Sequence, residues 1–261
     1  MGSLLAGRAS RFRLERLDGV VERVLGLKAD HILITGDLTT TAHSSEFREA
    51  RRALAQLLNE PKRATVIPGN HDRYTSYSVR TRSFEATFGE FSPGGAYPWI
   101  RPLDDRTAII GLDATRSHLS AKGLLPAPQL ESLKGLLAGW PGDRLIIASH
   151  YPVVAPVEYA TELAKKRMIN SEALIAVLKP IIPHLYCCGH VHAAWAFTPW
   201  ELPNEICLNA GSPLLRDPTG HRSPGFLEIE LNERDVAVHH HAWSGEAWTV
   251  RSMLVHPNFF G

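Results

Sequence analysis

Thirteen of the 261 residues are histidine, and several stand beside Gly, Asn and Asp at the ends of apolar runs. Asp37 closes the run His31-Ile-Leu-Ile-Thr-Gly-Asp37, and Asn70-His71-Asp72 follows Pro68-Gly69. His150 follows Ala148-Ser149, while His190 and His192 belong to Gly189-His-Val-His192. Carboxylate, amide oxygen and imidazole together suit borderline divalent ions such as Mn, Fe, Zn or Co, whereas a structural zinc site asks for thiolates. Only three Cys occur, without Cys-x-x-Cys spacing. A disulfide framework is excluded, and a reducing compartment, the cytoplasm, is expected.

The elements that must position these residues alternate. Apolar residues at Leu14, Leu17, Val20, Val21, Val24 and Leu25 predict a helix over 14–27, followed by a strand through Ile32. The same order recurs with a helix over 44–58 capped by Ser44 or Ser45, then a strand over 64–67. Strands are predicted over 107–112, 145–148 and 185–188, and helices over 128–138 and 171–178. After Trp195 the pattern changes to strands over 206–209, 225–231, 236–241 and 248–251, with Asn232 to Asp235 as a hairpin. Each candidate ligand thus falls in a loop at the carboxyl end of a strand, where open α/β sheets bind ligands. Taken singly, these features have plainer readings: Gly36-Asp37 as a turn, His150 as a packed histidine.

As an ordered set, the motifs resemble the calcineurin-like metallophosphoesterases, whose signature runs Asp-x-His, Gly-Asp, Gly-Asn-His-Asp/Glu, His, Gly-His-x-His. Four of the five blocks are present in order between Asp37 and His192. Asn209-Ala-Gly-Ser212 is similar to the segment that follows the last block in bacterial members related to cyclic-nucleotide phosphodiesterases. The resemblance implies a four-layer αββα sandwich, two mixed β-sheets flanked by helices. It also implies two divalent metal ions, with Mn, Fe or Zn expected. Asp37 would bridge the two, Asn70, His150 and His190 would complete one shell, and His192 would serve the other. His71 would contact the phosphate and protonate the leaving oxygen, with Asp72 orienting its ring. The implied reaction is hydrolysis of a small phosphoester, a nucleotide diester or similar, by metal-activated hydroxide.

The first block, Asp-x-His, is absent, and no acid or histidine before Asp37 replaces it. Met1-Gly2 matches the residues that follow this block in many members, so a single domain over 1–261 lacking its first strand is expected, with the true start upstream of Met1. Loss of that strand would leave its neighbours as unpaired edges. The alternative is a scaffold or interaction protein that keeps the fold with impaired catalysis. Nucleic acid is disfavoured as a partner by 28 Lys plus Arg against 27 Asp plus Glu, a formal charge of +1. No apolar run approaches a membrane span.

Several other residues carry weaker signals. His239-His-His241 lies in an alternating strand, so at most two of these rings share a face. Lys165-Lys-Arg167 could steer a phosphate or simply be a solvated face, and His43 could line the cleft or start a helix. Cys187 and Cys188 are expected to be inert core residues, and Trp195 and Trp200 to serve packing.

Overall fold

The computed structural model describes residues 12–117, 121–217 and 219–261. The expectation about Met1 concerns residues outside these. In chain order the elements are α1 (Leu17–Leu27), β1 (Ile32–Ile34), α2 (Ser44–Ala53), β2 (Ala64–Val66), α3 (Ser76–Arg80) and α4 (Ser83–Phe88). Next come β3 (Trp99–Pro102), β4 (Thr107–Gly111), α5 (Ala127–Gly139), β5 (Arg144–Ala148), α6 (Ala160–Lys166) and α7 (Ser171–Leu178). The chain ends with β6 (His184–Cys188), β7 (Ala194–Phe197), β8 (Glu205–Ala210), β9 (Gly225–Leu231), β10 (Val236–Trp243) and β11 (Trp248–His256).

A six-stranded mixed sheet, in the order β3-β4-β5-β6-β8-β7, forms one half of the sandwich. Its four inner strands run parallel, and β3 and β7 close the edges antiparallel. Because neighbouring side chains on a strand point to opposite faces, β6 serves two cores. Tyr186 and Cys188 pack under Leu133, Leu163 and Leu174 of α5, α6 and α7. Leu185 and Cys187 meet Val236, Val238, Leu227 and Ile229 of the opposing β-layer. That layer consists of the parallel pair β1-β2 and the antiparallel order β11-β10-β9. Phe47 of α2 and Phe84 and Phe88 of α4 cover Ile32, Ile34 and Val66 on its outer side. The result is the four-layer αββα order.

The second β-layer is divided. Among the described residues β1 pairs only with β2 and β9 only with β10. A cleft of about 2170 Å³ separates the two free edges, lined by Ile32, Leu33 and Ile34 on one side and Phe226, Leu227 and Ile229 on the other. It continues to Asp37, His71, His150, His190 and His192.

Periodicity places most elements well, with instructive departures. The helix expected over 44–58 ends at Ala53 and gives way to turns. Its cap is His43, not a serine: the ring accepts from the Ser45 N–H, and Glu46 reaches back to the His43 N–H at 2.9 Å. This reciprocal box satisfies donors that the first helical turn leaves open. The three helices α3, α4 and α6 span five, six and seven residues, too few turns to print a period in sequence. Strand β3 is recognisable only through its partner: a Cβ on Gly111 would lie 2.2 Å from the Trp99 ring, so glycine there lets the indole lie flat on β4.

Candidate metal centre

Asp37 lies three residues beyond the end of β1, on a loop that presses against the loop after β2. Gly36 has φ +91° and Asp37 has φ 60°, both left-handed. A Cβ on Gly36 would fall 2.3 Å from the Gly69 nitrogen, and one on Gly69 would fall 2.1 Å from Asp37 Oδ1. Only glycine allows this backbone contact. It brings the His71 N–H to Asp37 Oδ1 at 2.9 Å.

Asp72 locks the two loops from beneath. Fully buried, its carboxylate accepts from the backbone N–H of Asp37 (2.8 Å), Gly69 (2.9 Å) and Thr39 (2.9 Å), and from Thr39 Oγ1 (3.1 Å). Burial first, then the Asp37 charge, pushes its pKa up to about 6 against the pull of these N–H donors. The expectation that Asp72 orients the His71 ring is corrected here, because its oxygens are committed to backbone donors from both loops. The ring is held by a main-chain group, the Thr40 carbonyl, which His71 Nδ1 meets at 2.8 Å. Tyr74 stacks on the same ring at 5.4 Å and 7°.

His150 is the hub. Its Nδ1 lies 2.7 Å from the Thr35 carbonyl, which can only accept, so Nδ1 carries a proton and the neutral ring has its lone pair on Nε2. Around Nε2 stand Asn70 Oδ1 at 3.1 Å, His190 Nδ1 at 3.2 Å and Asp37 Oδ2 at 3.4 Å. Four groups able to ligate a cation thus converge on one point. Ligand atoms of Asp37, His150 and His190 all lie within 4.8 Å of one another. The donor set of two imidazoles, a carboxylate and an amide oxygen fits a borderline divalent metal ion.

The electrostatics divide the four imidazole and carboxylate groups. Burial works against ionising Asp37, yet His150 and then His71 hold its carboxyl well below the usual range. His150 is pulled the other way: burial favours the neutral ring, but Asp37 raises its pKa. Burial lowers His190 to about 3 and His192 to about 4, leaving both imidazoles neutral, the form that binds metal. His190 Nε2 is buried and has no hydrogen-bond partner among the described residues.

Of the residues singled out from sequence, Asp37, Asn70, His150 and His190 thus meet at one point, and His71 lines the same cavity. His192 also lines it, but its ring sits edge-on to Phe12 at 5.8 Å and lies outside the tight cluster. His43 is a helix cap, and His239 and His241 face Glu230 and Glu228 at 3.7 and 2.8 Å. Sequence reasoning missed the carbonyls of Thr35 and Thr40, since no residue type announces a backbone acceptor. It also missed Arg73, buried behind the loop with both guanidinium nitrogens on Glu85 (2.8 and 2.7 Å) and one on Asp113 (3.1 Å). Its position directly after Asn70-His71-Asp72, and that of Asp113 at the end of a strand, were the available signals.

A family model described as calcineurin-like phosphoesterase matches residues 10–194. Among solved structures, one described as PhoD superposes with a TM-score of 0.64 at 11% identity, over 92% of this chain and 67% of that one. The purple acid phosphatase PPD1 from yellow lupin (Lupinus luteus) seeds superposes with 0.61 at 14% identity, over 92% of this chain and 48% of the phosphatase. The chain therefore spans about half the length of the lupin enzyme. At such identities the likeness is one of fold. No curated protein sequence matches the chain.

Proposed function

Because the chain belongs to the calcineurin-like phosphoesterases, we propose that it hydrolyses a small phosphodiester, such as a nucleotide diester, at the cluster around His150. The observation that carries this reading is the convergence of Asp37 Oδ2, Asn70 Oδ1 and His190 Nδ1 on Nε2 of His150. These four residues would hold a divalent ion, with Mn, Fe or Zn compatible, and His192 with Asp37 would help hold a second. When bound, such ions supply Lewis acidity, polarising phosphoryl oxygens and acidifying water.

The chain's own groups supply positioning and proton transfer. Thr35 fixes the His150 tautomer through its carbonyl, and Asp72 holds the Asp37 and Gly69 loops in contact. Thr40 keeps the Nδ1 proton of His71 and so turns Nε2 toward the cavity, where in the imidazolium form it would donate its proton to the leaving oxygen. The expected behaviour is diesterase activity on bis(p-nitrophenyl) phosphate that saturates with added Mn²⁺ and falls at least about 100-fold in Asp37→Ala. Activity that ignores both metal and Asp37 would overturn the reading. His71→Ala should lose activity with its metal content unchanged, as measured by elemental analysis.

A second proposal follows from the divided layer: one further strand, the one that carries Asp-x-His in the resembling family, belongs between β1 and β9. The free edges and the apolar cleft support it. The same feature favours the second reading, a scaffold with impaired catalysis, for a chain in which that cleft stays open. Residues 1–261 would form one domain in either case. Three free, buried cysteines support a cytoplasmic location. Among the described residues no helix is long and apolar enough to cross a membrane.

A further inference from the structure

His71 is the group of the site that has a proton to aim, and the Thr40 carbonyl alone does not aim it. The contact of Nδ1 with that carbonyl, at 2.8 Å, fixes one atom of the ring and one line. About that line the ring is free to swing, and Nε2 swings with it. Tyr74 removes this freedom. Its ring centre lies 5.4 Å from that of His71 with the two planes 7° from parallel, a stack that fixes the plane of the imidazole.

Tyr74 is itself held from both sides along the chain. Arg73, before it, is buried with its guanidinium on both Glu85 oxygens (2.8 and 2.7 Å) and on Asp113 Oδ2 (3.1 Å). Thr75, after it, caps α3 by accepting from the Ser78 N–H at 3.1 Å. The Tyr74 side chain packs against the apolar cluster of Phe47, Phe84 and Phe88, so the platform stays in place when the imidazole is pushed. His71 lines the cleft, whereas Tyr74 does not. Any influence of the phenol ring on a bound ester therefore passes through His71.

We propose that Tyr74 is a positioning residue for His71: with the Thr40 carbonyl it aims Nε2 at the leaving oxygen, so that the site is built to expel alcohols and phenols that leave poorly as anions. This rests on the hydrolase reading. In the step it serves, a water oxygen bonds to phosphorus and gives up a proton to solvent. The P–O bond to the leaving group breaks, and the leaving oxygen takes the Nε2 proton, which solvent restores after turnover. Such a transfer needs the two atoms within about 3 Å of one another, and a misplacement of about 1 Å costs about 100-fold. A group that is stable as an anion needs far less of this help.

Steady-state kinetics on two diesters of like shape, diphenyl phosphate and bis(p-nitrophenyl) phosphate, separate aiming from mere support, because phenol leaves poorly and p-nitrophenol well. In Tyr74→Leu, which keeps an apolar side chain on the same cluster, kcat is expected to fall about 100-fold on the phenyl ester and about tenfold on the nitrophenyl ester. KM and metal content should stay within about twofold of the parent chain. Tyr74→Phe, which keeps the ring face, should retain kcat on both esters within about threefold. Added to His71→Ala, Tyr74→Leu should lower the residual rate no further. Equal losses on the two esters, a further loss in the His71→Ala background, a loss of the same size in Tyr74→Phe, or turnover of the nitrophenyl ester alone by the parent chain would overturn the proposal and leave the hydrolase reading standing. No turnover of either ester by the parent chain removes that reading and the proposal with it. Should Tyr74→Leu misfold by circular dichroism, Tyr74→Met takes its place with the same expectations.

Discussion

His240 shows what a single buried ring does to the whole stability curve. It faces the interior of the sandwich, is fully buried, and neither ring nitrogen has a partner among the described residues. Burial, helped by the charge of Arg251, lowers its pKa from the ordinary 6.5 to about 4. His31, bonded to Thr65 Oγ1, is lowered to about 4 as well. Between those values the unfolded chain binds protons that the folded rings refuse, so stability rises with pH across that window and is lost as pH falls through it. His240 alone should account for about 3 kcal/mol of the loss between pH 7 and pH 4. Urea denaturation at the two pH values measures it, and His240→Leu should shrink the difference. The convergence of Asp37, Asn70, His150 and His190 was legible at this scale because carboxylate, amide and imidazole at strand ends declare themselves by residue type. The Thr35 and Thr40 carbonyls were not, because their role depends on where two loops cross.

Helix α2 connects local capping with the site. The Glu46 carboxylate accepts from the N–H groups of Thr40 (3.3 Å), Thr41 (3.0 Å) and His43 (2.9 Å) and from Thr41 Oγ1 (2.9 Å). It therefore fixes the peptide segment whose Thr40 carbonyl holds His71. Replacing Glu46 with Ala should cost about 1–2 kcal/mol in chemical denaturation. It should also lower kcat more than it changes KM, and Glu46→Gln should recover part of both. Equal kcat in the Ala variant would show that the cap and the His71 ring are independent. Of the two sequence readings of this helix start, the serine cap fails and His43 at the start of the helix holds, because His Nδ1 accepts as a serine hydroxyl does. The short α3, α4 and α6 escaped because five to seven residues complete too few turns to show an apolar stripe.

At the scale of the molecule, alternating α/β followed by strands was readable from periodicity, and the family resemblance supplied the four layers. The division of one β-layer lies beyond periodicity, since strand order is set by contacts between distant segments. Its consequence is testable. Among the described residues the facing edges of β1 and β9 are unpaired and the cleft walls apolar, so the protein should bind a hydrophobic dye and associate at high protein concentration. Extending the chain with a strand-forming segment able to reach the cleft should quench the dye signal and raise Tm by several degrees. An extension that leaves both unchanged would remove the proposed strand.

Cys187, Cys188 and Cys207 sit unpaired on the central strands β6 and β8, and burial pushes the Cys187 thiol up to about 12. They are chemically silent while the sheet is closed. Their rate of modification by a thiol reagent is therefore a clock for sheet opening, wound into the protein without any added label.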